Sequence, residues 1–137
     1  MPSPTSPTVT TSTATTHGIQ IDVRATFMPE QSDLSADQWF FVYEITIQNL
    51  SERTVQLLSR EWIITNANGQ VETVRGPGVV GHQPTMRPRE GFQYNSGCPL
   101  NTPFGSMKGT YHMVTSEGEP FSVDIAEFAL VEPSALN

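Results

Sequence analysis

Alternation of apolar and polar residues with a period of two constrains the fold of this chain more than any other feature. In the first alternating run, Ile19, Ile21, Val23 and Ala25 share one face of a strand. A longer run does the same from residue 39 to residue 47. No apolar stripe recurs at helical spacing over three turns. The chain is therefore predicted to be all-β, with seven or more short strands in an antiparallel β-sandwich.

The other predicted strands lie between turn residues, at residues 55–65, 70–75, 91–94, 105–115 and 121–130. In the first of these, Leu58, Trp62 and Ile64 are expected to align on one face. The Asn68-Gly69 pair predicts a hairpin with positive φ at both central residues. The single cysteine allows no internal disulfide, so the prediction is a fibronectin type III or immunoglobulin-like sandwich without one.

Composition limits the domain count and the partners. A chain of 137 residues suits one domain. The formal charge of −7 and pI near 4.7 argue against general binding to nucleic acid or anionic membranes. Residues 1–17 are mostly Ser, Thr and Pro and are predicted to be a disordered tail, leaving residues 18–137 as the domain. The chain has no secretory signal and no run of about 18 apolar residues, so a cytoplasmic protein is predicted.

Residues 75–109 hold seven of the ten glycines and the only cysteine, which predicts one elaborate loop. Gly76, Gly78 and Gly81 match G-x-G-x-x-G, a pattern that binds pyrophosphate when a helix follows it. Pro84 and Pro88 follow too closely for that helix, so a dinucleotide-binding fold is excluded.

A weaker anion site in the same loop remains open. Backbone N–H groups there can form a nest, with Arg75, His82, Arg87 and Arg89 close in sequence. The candidate ligand-binding residues are Arg75, Gly76, Gly78, Gly81, His82 and Arg87. The alternative is a loop whose arginines are solvated or are paired with Glu72 and Glu90.

The sequence contains no recognisable catalytic centre. Cys98 as a nucleophile would need a base, and nothing ties it to His17, His82 or His112. The same histidines show no metal-ligand spacing. The prediction is a non-enzymatic protein with no catalytic residues, no metal site and no cofactor.

Several linked motifs resemble the ApaG family. They are LLSR at 57–60, WIIT at 62–65, NG at 68–69, VRGPGVVG at 74–81 followed by QP at 83–84, YNSGCPL at 94–100, GSMKG at 105–109 and YHMVT at 111–115. The resemblance covers about residues 18–131. Glu61 replaces a common His, His82 a common acidic residue, and Ala126-Glu127 a common Pro-Pro.

The resemblance implies a fibronectin type III-like sandwich without catalytic residues. Bacterial members are single-domain cytosolic proteins associated genetically with cobalt resistance and magnesium efflux. Related domains in eukaryotic F-box proteins and in a polymerase-delta-interacting protein suggest a binding module, and the glycine motif suggests pyrophosphate binding.

Three hypotheses follow from the residues and the resemblance. The first is a protein-interaction module that uses the 75–109 region or an unpaired sheet edge. The second is a binder of a small anion, a pyrophosphate or nucleotide, in the loop at residues 75–89. The third is direct handling of divalent cations. The first is preferred, with an indirect link to Co²⁺ and Mg²⁺ homeostasis and an unidentified protein partner, but no nucleic acid or membrane partner. Oligomeric state stays open.

Overall fold

The computed structural model describes residues 9–136, which form two antiparallel β-sheets packed face to face. The strands in this part of the chain are β1 (Val9–Thr16), β2 (Ile19–Phe27), β3 (Trp39–Asn49), β4 (Val55–Asn66), β5 (Val71–Pro77), β6 (Thr85–Met86), β7 (Gly91–Leu100), β8 (Phe104–Thr115) and β9 (Pro120–Val131). One sheet has the order β1-β2-β3-β7 and the other β5-β4-β8-β9, with β6 beside the start of β4. The predicted antiparallel sandwich is confirmed. Among the described residues, no helix is long and apolar enough to span a membrane.

Alternate residues of both sheets point inward and form one hydrophobic core. The first sheet buries the predicted faces of β2 and β3 at Ile19, Ile21, Val23, Ala25, Phe41, Tyr43, Ile45 and Ile47, while Trp39, at the start of β3, is only partly buried. The second sheet contributes Leu57, Trp62, Met107, Tyr111, Met113, Val123, Ile125, Phe128 and Leu130. Burial of a large apolar side chain stabilises the fold by about 1.5–3 kcal/mol, so this face-to-face packing is the main source of stability.

A β-bulge in β4 changes which residues of that strand face the core. The pairing with β8 slips by one residue between Leu57 and Ser59, which leaves Leu58 as the extra residue. Leu57 is fully buried, whereas Leu58 is 37% exposed. The predicted alignment of Leu58 with Trp62 is therefore wrong. Arg60 and Trp62, which both follow the bulge, share the phase that faces the core, whereas Leu57 faces the core from before it.

The hairpin between β4 and β5 is present, but its turn differs from the predicted type. Gly69 has φ of +79°, while Asn68 does not have positive φ. The N–H of Gly69 donates to the carbonyl of Asn66, and the side-chain oxygen of Asn66 accepts from the N–H groups of Asn68 and Gln70. Three residues therefore form the loop, and only the glycine adopts the left-handed conformation.

The Gly/Pro-rich segment at residues 75–109 is mostly strand rather than one elaborate loop. Strand β7 runs to Leu100 instead of ending at residue 94. Gly97 and Pro99 are tolerated there because β7 is the last strand of its sheet, and an edge strand has N–H positions that need no partner.

The predicted disordered tail is wrong for residues 9–16, which form β1 along β2 in the register Val9–Thr26 to Thr16–Ile19. Residues 1–8 of that predicted tail lie outside the described residues. The segment forms a strand because threonine is β-branched and suits a half-buried pleated edge. Its hydroxyl groups also find backbone partners on β9.

Candidate functional site

The glycine motif folds as a tight turn, here called the glycine turn (residues 76–82), between β5 and β6. Val79 and His82 exchange two backbone hydrogen bonds of 2.8 and 2.9 Å. Val80 and Gly81, the two central residues, have φ of +47° and +80°. Positive φ at both positions is the type I′ hairpin geometry, which is unusual for a β-branched valine.

Most backbone N–H groups of the glycine turn are already bonded. The N–H of Gly78 donates to the carbonyl of Leu58 at 2.8 Å, and those of Val79 and His82 are paired with each other's carbonyls. Val80 and Gly81 are the exceptions, since no residue in the described part of the chain accepts from their N–H groups. Only these two N–H groups, at the tip of the turn, are therefore available to bind an anion.

Arg60 supports the glycine turn from the inner side of the sheet. Its guanidinium donates to the carbonyl oxygens of Pro77 at 3.0 Å and Gly78 at 2.8 Å. Gly76 leaves room for this side chain, because a Cβ there would lie 3.1 Å from the guanidinium nitrogens. Sequence reasoning missed this role of Arg60, because alternation gives the face of a side chain but not its partners in a turn 17 and 18 residues further along the chain.

The arginines of the candidate anion site are paired with carboxylates. Arg75 bonds to Glu61, its cross-strand neighbour on β4, rather than to the expected Glu72. Arg87 pairs with Glu90 at 3.2 Å, as one alternative predicted, and this hydrogen bond lowers the pKa of Glu90.

Arg89 pairs with Glu52 at 2.7 Å. Such exposed pairs contribute little stability, but they neutralise the local positive charge.

The structure brings only part of the candidate set together. Gly76, Gly78, Gly81 and His82 belong to one continuous turn, and the His82 ring packs 5.7 Å from that of Phe92. Arg75 lies opposite Glu61 on β4, whereas Met86, next to Arg87, lies opposite Val55. Six residues of strand span about 20 Å. Arg75 and Arg87 therefore do not converge on one small anion.

The two lateral edges of the sandwich differ in how their backbone groups are satisfied. At the closed edge, β1 of one sheet lies against β9 of the other. The Ser12 hydroxyl donates to the carbonyl of Ala126 at 2.8 Å, and the Thr10 hydroxyl donates to that of Ala129. The Thr16 hydroxyl accepts from the N–H of Asp124 at 3.2 Å. The hydroxyl side chains of β1 thus join the two sheets at this edge.

At the open edge, β5 and β7 each have a neighbouring strand on one side only. The N–H of Asn66 donates to Gln70, and that of Gly78 donates to Leu58. With the continuous register between β4 and β5, antiparallel alternation directs the N–H and C=O groups of Val71, Thr73 and Arg75 away from β4. These groups face the free edge.

The same alternation applies to β7. The N–H of Asn49 donates to the carbonyl of Glu90, and this pair continues the register between β3 and β7. The N–H groups of Asn95 and Gly97 therefore point away from β3, and Pro99 has none. Both edge strands thus have a proline at an outward position near their ends, Pro99 in β7 and Pro77 in β5.

Two adjacent cavities lie along the open edge and together form a cleft, here divided into the outer cleft and the inner cleft. The outer cleft has a volume of about 480 Å³ and is lined by side chains that include Asp37, Trp39 and Phe40. The inner cleft, of about 280 Å³, reaches Trp62 and Cys98 between the sheets. Both parts share Ile64, Glu72 and Pro99 as lining residues.

The polar groups of the cleft are incompletely paired. Neither Asp37 nor Glu72 forms an ion pair within residues 9–136. The indole N–H of Trp62 is buried without an acceptor in the described part of the chain. Its ring neighbours, Tyr43 and Phe128, present edge-to-face contacts, which offer at most a weak N–H···π interaction. A buried donor without an acceptor costs about 1–3 kcal/mol.

Cys98 is a poor nucleophile in this setting. Burial, with a smaller contribution from the negative charge of Glu72, raises the pKa of the Cys98 thiol to about 11. The reactive thiolate is therefore scarce at neutral pH. No group of three or more His, Cys, Asp or Glu side chains within residues 9–136 is arranged to hold a metal ion.

Comparison with known proteins places this geometry in a family. The ApaG domain matches residues 29–115. The protein ApaG of Dechloromonas aromatica (strain RCB) is 50% identical over 119 residues, which cover 87% of this chain and 94% of that protein. The protein ApaG of Anaeromyxobacter sp. (strain K) is 51% identical over 126 residues, covering 92% and 99%.

Solved structures agree with the fold. The crystal structure of an ApaA protein from Bordetella pertussis is 50% identical, with a TM-score of 0.81, and the match covers 84% of this chain and 94% of that one. A second X-ray structure is 43% identical, with a TM-score of 0.83 and coverage of 90% and 94%. The sequence identity, its coverage and the shared sandwich establish that this chain belongs to the ApaG family.

Proposed function

We propose that this chain is a non-enzymatic, cytoplasmic protein-binding module that takes an extended segment of a partner protein at the free edge of β5. The observation that carries the proposal is the row of outward N–H and C=O groups at Val71, Thr73 and Arg75 beside the open-edge cleft. An added strand satisfies such groups by continuing the sheet, and its alternate side chains enter adjacent pockets.

The proposal favours β5 over the other edges because β5 is the least protected. Proteins blunt exposed edges with charge, proline or a covering segment. On β5, Arg75 and Pro77 protect only the end near the glycine turn, while Val71 at the other end is 62% exposed. β9 is covered by the hydroxyl groups of β1, and in β7 Pro99 removes the outward donor that would lie beside the outer cleft.

If the chain acts by binding another protein, the genetic association of the ApaG family with divalent cations is indirect. In this proposal the partner, and not the sandwich, handles Co²⁺ or Mg²⁺. Millimolar Co²⁺ or Mg²⁺ is then expected to leave the melting temperature of the chelator-treated protein unchanged, because only a ligand that binds the native state raises stability by mass action. A saturable rise in melting temperature would instead support direct cation binding.

Selection from a library of short random peptides displayed on phage tests strand addition. Peptides recovered on the wild-type protein are then measured against Thr73→Pro. This substitution removes one outward N–H and leaves the hydrogen bonds to β4 in place, because proline lacks only the donor that faces the edge. We expect the affinity to fall about tenfold or more, since a ladder hydrogen bond is lost and the ring obstructs the added strand.

Asn95→Pro is the matched control, because it removes an outward N–H from the edge of β7. We expect it to leave peptide affinity unchanged, with circular dichroism showing that both variants remain folded. Recovery of no peptide, or equal affinity for Thr73→Pro and wild type, would contradict the proposal. Loss of binding in Asn95→Pro alone would move the site to β7.

A second candidate function is the binding of pyrophosphate or a nucleotide in the loop at residues 75–89. The observation that favours it is the pair of N–H groups at Val80 and Gly81 that lack an acceptor in the described residues. The side chains of Arg75 and Arg87 are 74% and 76% exposed and would have to exchange their carboxylate partners for the anion.

Titration of ¹⁵N-labelled protein with pyrophosphate and ATP, with and without Mg²⁺, tests this second function. It predicts saturable amide shifts centred on Val80 and Gly81. Arg75→Ala and Arg87→Ala are measured separately because the two side chains lie far apart. Unchanged amide positions at millimolar ligand would eliminate this function and leave the protein-binding proposal intact.

A further inference from the structure

We infer that the segment bound at β5 is basic, with a Lys or Arg opposite Glu72 as the side chain that decides recognition. This inference rests on the proposed strand addition and names the chemistry of the partner. It follows from the position of Glu72 in the sheet, from the charges that line the outer cleft, and from the way the other carboxylates of this region are paired.

Glu72 lies where an added strand would meet it. It lies opposite Ile64 of β4. Together with Val74 and Gly76, it is on the inward-facing side of β5. It is exposed, and no further strand from the described part of the chain covers that edge. In an antiparallel addition, the residue opposite Glu72 would place its Cβ about 5 Å away on the same face. That side chain would project into the cleft.

The outer cleft is acidic and aromatic. Asp37 lies at the end of a 3-10 turn with φ of +54°, and its N–H donates to the carbonyl of Leu34. The ionisable side chains that line the outer cleft are Asp37 and Glu72. The aromatic side chains of Trp39 and Phe40 line it as well. A Lys or Arg stem can pack on an aromatic ring while its charged end meets a carboxylate.

Glu61, on the strand next to Glu72, does not offer the same opportunity, because it already bonds to Arg75. The cation of the inner cleft, Arg60, donates its hydrogen bonds to the carbonyls of Pro77 and Gly78. The unpaired charge in the cleft is therefore negative, in a chain of formal charge −7. Complementary charge selects partners and speeds their association.

The inner cleft supplies an independent sign of an incomplete site. Trp62 is 2% exposed and its indole N–H has no acceptor within the described residues. Peptide carbonyls are acceptors that an inserted segment brings with it. The two tryptophans of the chain, Trp39 and Trp62, line the outer and inner cleft, so intrinsic fluorescence reports occupancy directly.

Peptides are first selected on the wild-type protein. Tryptophan fluorescence then measures their affinity for the wild type and for Glu72→Gln. Enrichment of Lys or Arg at one aligned position is expected. Glu72→Gln should lower the affinity of these peptides about three- to fivefold, as an opposite-charge cross-strand pair is lost. Glu117→Gln is the matched control in the β8–β9 turn and should have no effect. Asp37→Asn should lower affinity about twofold.

The possible failures are distinct. Peptides that depend on Thr73 but show no basic enrichment, or bind Glu72→Gln as they bind wild type, would overturn the inference and leave strand addition standing. Equal losses in Glu72→Gln and Glu117→Gln would also overturn it, because the effect would then reflect net charge. Recovery of no peptide, or no dependence on Thr73, would overturn both proposals.

Discussion

The closed and open edges of this sandwich differ in how their outward-facing backbone N–H and C=O groups are satisfied. At the closed edge, Thr10, Ser12 and Thr16 of β1 use side-chain hydroxyl groups to satisfy backbone groups of β9. At the open edge, β5 leaves outward N–H and C=O groups beside a cleft whose carboxylates form no ion pair within residues 9–136. One edge is therefore closed by hydrogen bonds, and the other is the edge to which we assign the proposed partner.

The comparison shows why a Ser/Thr-rich segment can be structural. A segment poor in apolar residues buries little surface, which favours disorder. β1 is nevertheless ordered because it extends an existing sheet and bonds to a second one at the same time. The cost of ordering its backbone is then opposed by two sets of hydrogen bonds instead of one.

Truncation tests the closed edge with the largest expected effect. A chain that begins at His17 lacks β1, which exposes the edge of β2 and the backbone groups of β9. We expect the free energy of unfolding to fall by about 3–4 kcal/mol, from lost hydrogen bonds and lost cover over the core. Urea unfolding measures the change, and a truncation of residues 1–8 alone is the control. Equal stability of the two truncations would mean that β1 does not close this edge.

Two glycine substitutions sharpen the description of the turn that follows β5. Gly78 has φ of +60°, and a Cβ there would lie 2.3 Å from the carbonyl oxygen of His82. Gly81 has φ of +80° but open space around it. We expect Gly78→Ala to cost about 3 kcal/mol, from strain and a clash, and Gly81→Ala about 1 kcal/mol, from strain alone. Thermal and urea unfolding compare them, and equal costs would contradict this geometry.

The pH dependence of stability tests whether the inner cleft excludes water around Cys98. The folded pKa of about 11 is above the ordinary value of 9.0. The thiol therefore contributes stability that is fully present below pH 9 and is lost as pH rises towards 11. Wild type should lose about 1–2 kcal/mol more than Cys98→Ala over this window.

Alkylation provides a second measurement of the same thiol. Cys98 should react with iodoacetamide at pH 8 much more slowly than a free cysteine, because little thiolate is present. Rapid alkylation of the folded protein would show that the inner cleft is open to solvent.

Single hydroxyl deletions give the smallest effect and separate the two faces of β1. Ser12 bonds to Ala126, whereas Thr11 lies on the exposed face of the strand. Ser12→Ala should cost about 1 kcal/mol, as one hydrogen bond to β9 is lost. Thr11→Ala should cost less than about 0.5 kcal/mol, as a surface substitution. Equal losses measured by urea unfolding would argue that the bond across the closed edge adds no stability.

The sequence predicted best where alternation has no interruption. The buried faces of β2 and β3 follow a strict period of two, and the structure buries those residues. The prediction failed at Leu58 because a bulge inserts one residue and reverses the pattern. It also failed at residues 9–16, because stabilisation there comes from β9, more than 100 residues away.

The candidate site was less accessible to sequence reasoning. The glycine motif located a turn in the sequence, but the distance between Arg75 and Arg87 depends on where β5 and β6 meet β4. The pairing of Arg75 with Glu61 is likewise a cross-strand contact. The predicted two-residue turn at Asn68-Gly69 would have placed Glu61 opposite Gly76, and the three-residue loop places it opposite Arg75 instead.

Hydrogen exchange of individual amides by NMR tests the difference between the two edges most directly. In the free protein, the amides of Val71 and Thr73 should exchange rapidly, while those of Glu72 and Val74, bonded to β4, should be protected. The amide of Asp124 at the closed edge should also be protected by Thr16. Protection of Thr73 equal to that of Val74 would contradict the account, because it would show that the edge of β5 is already covered.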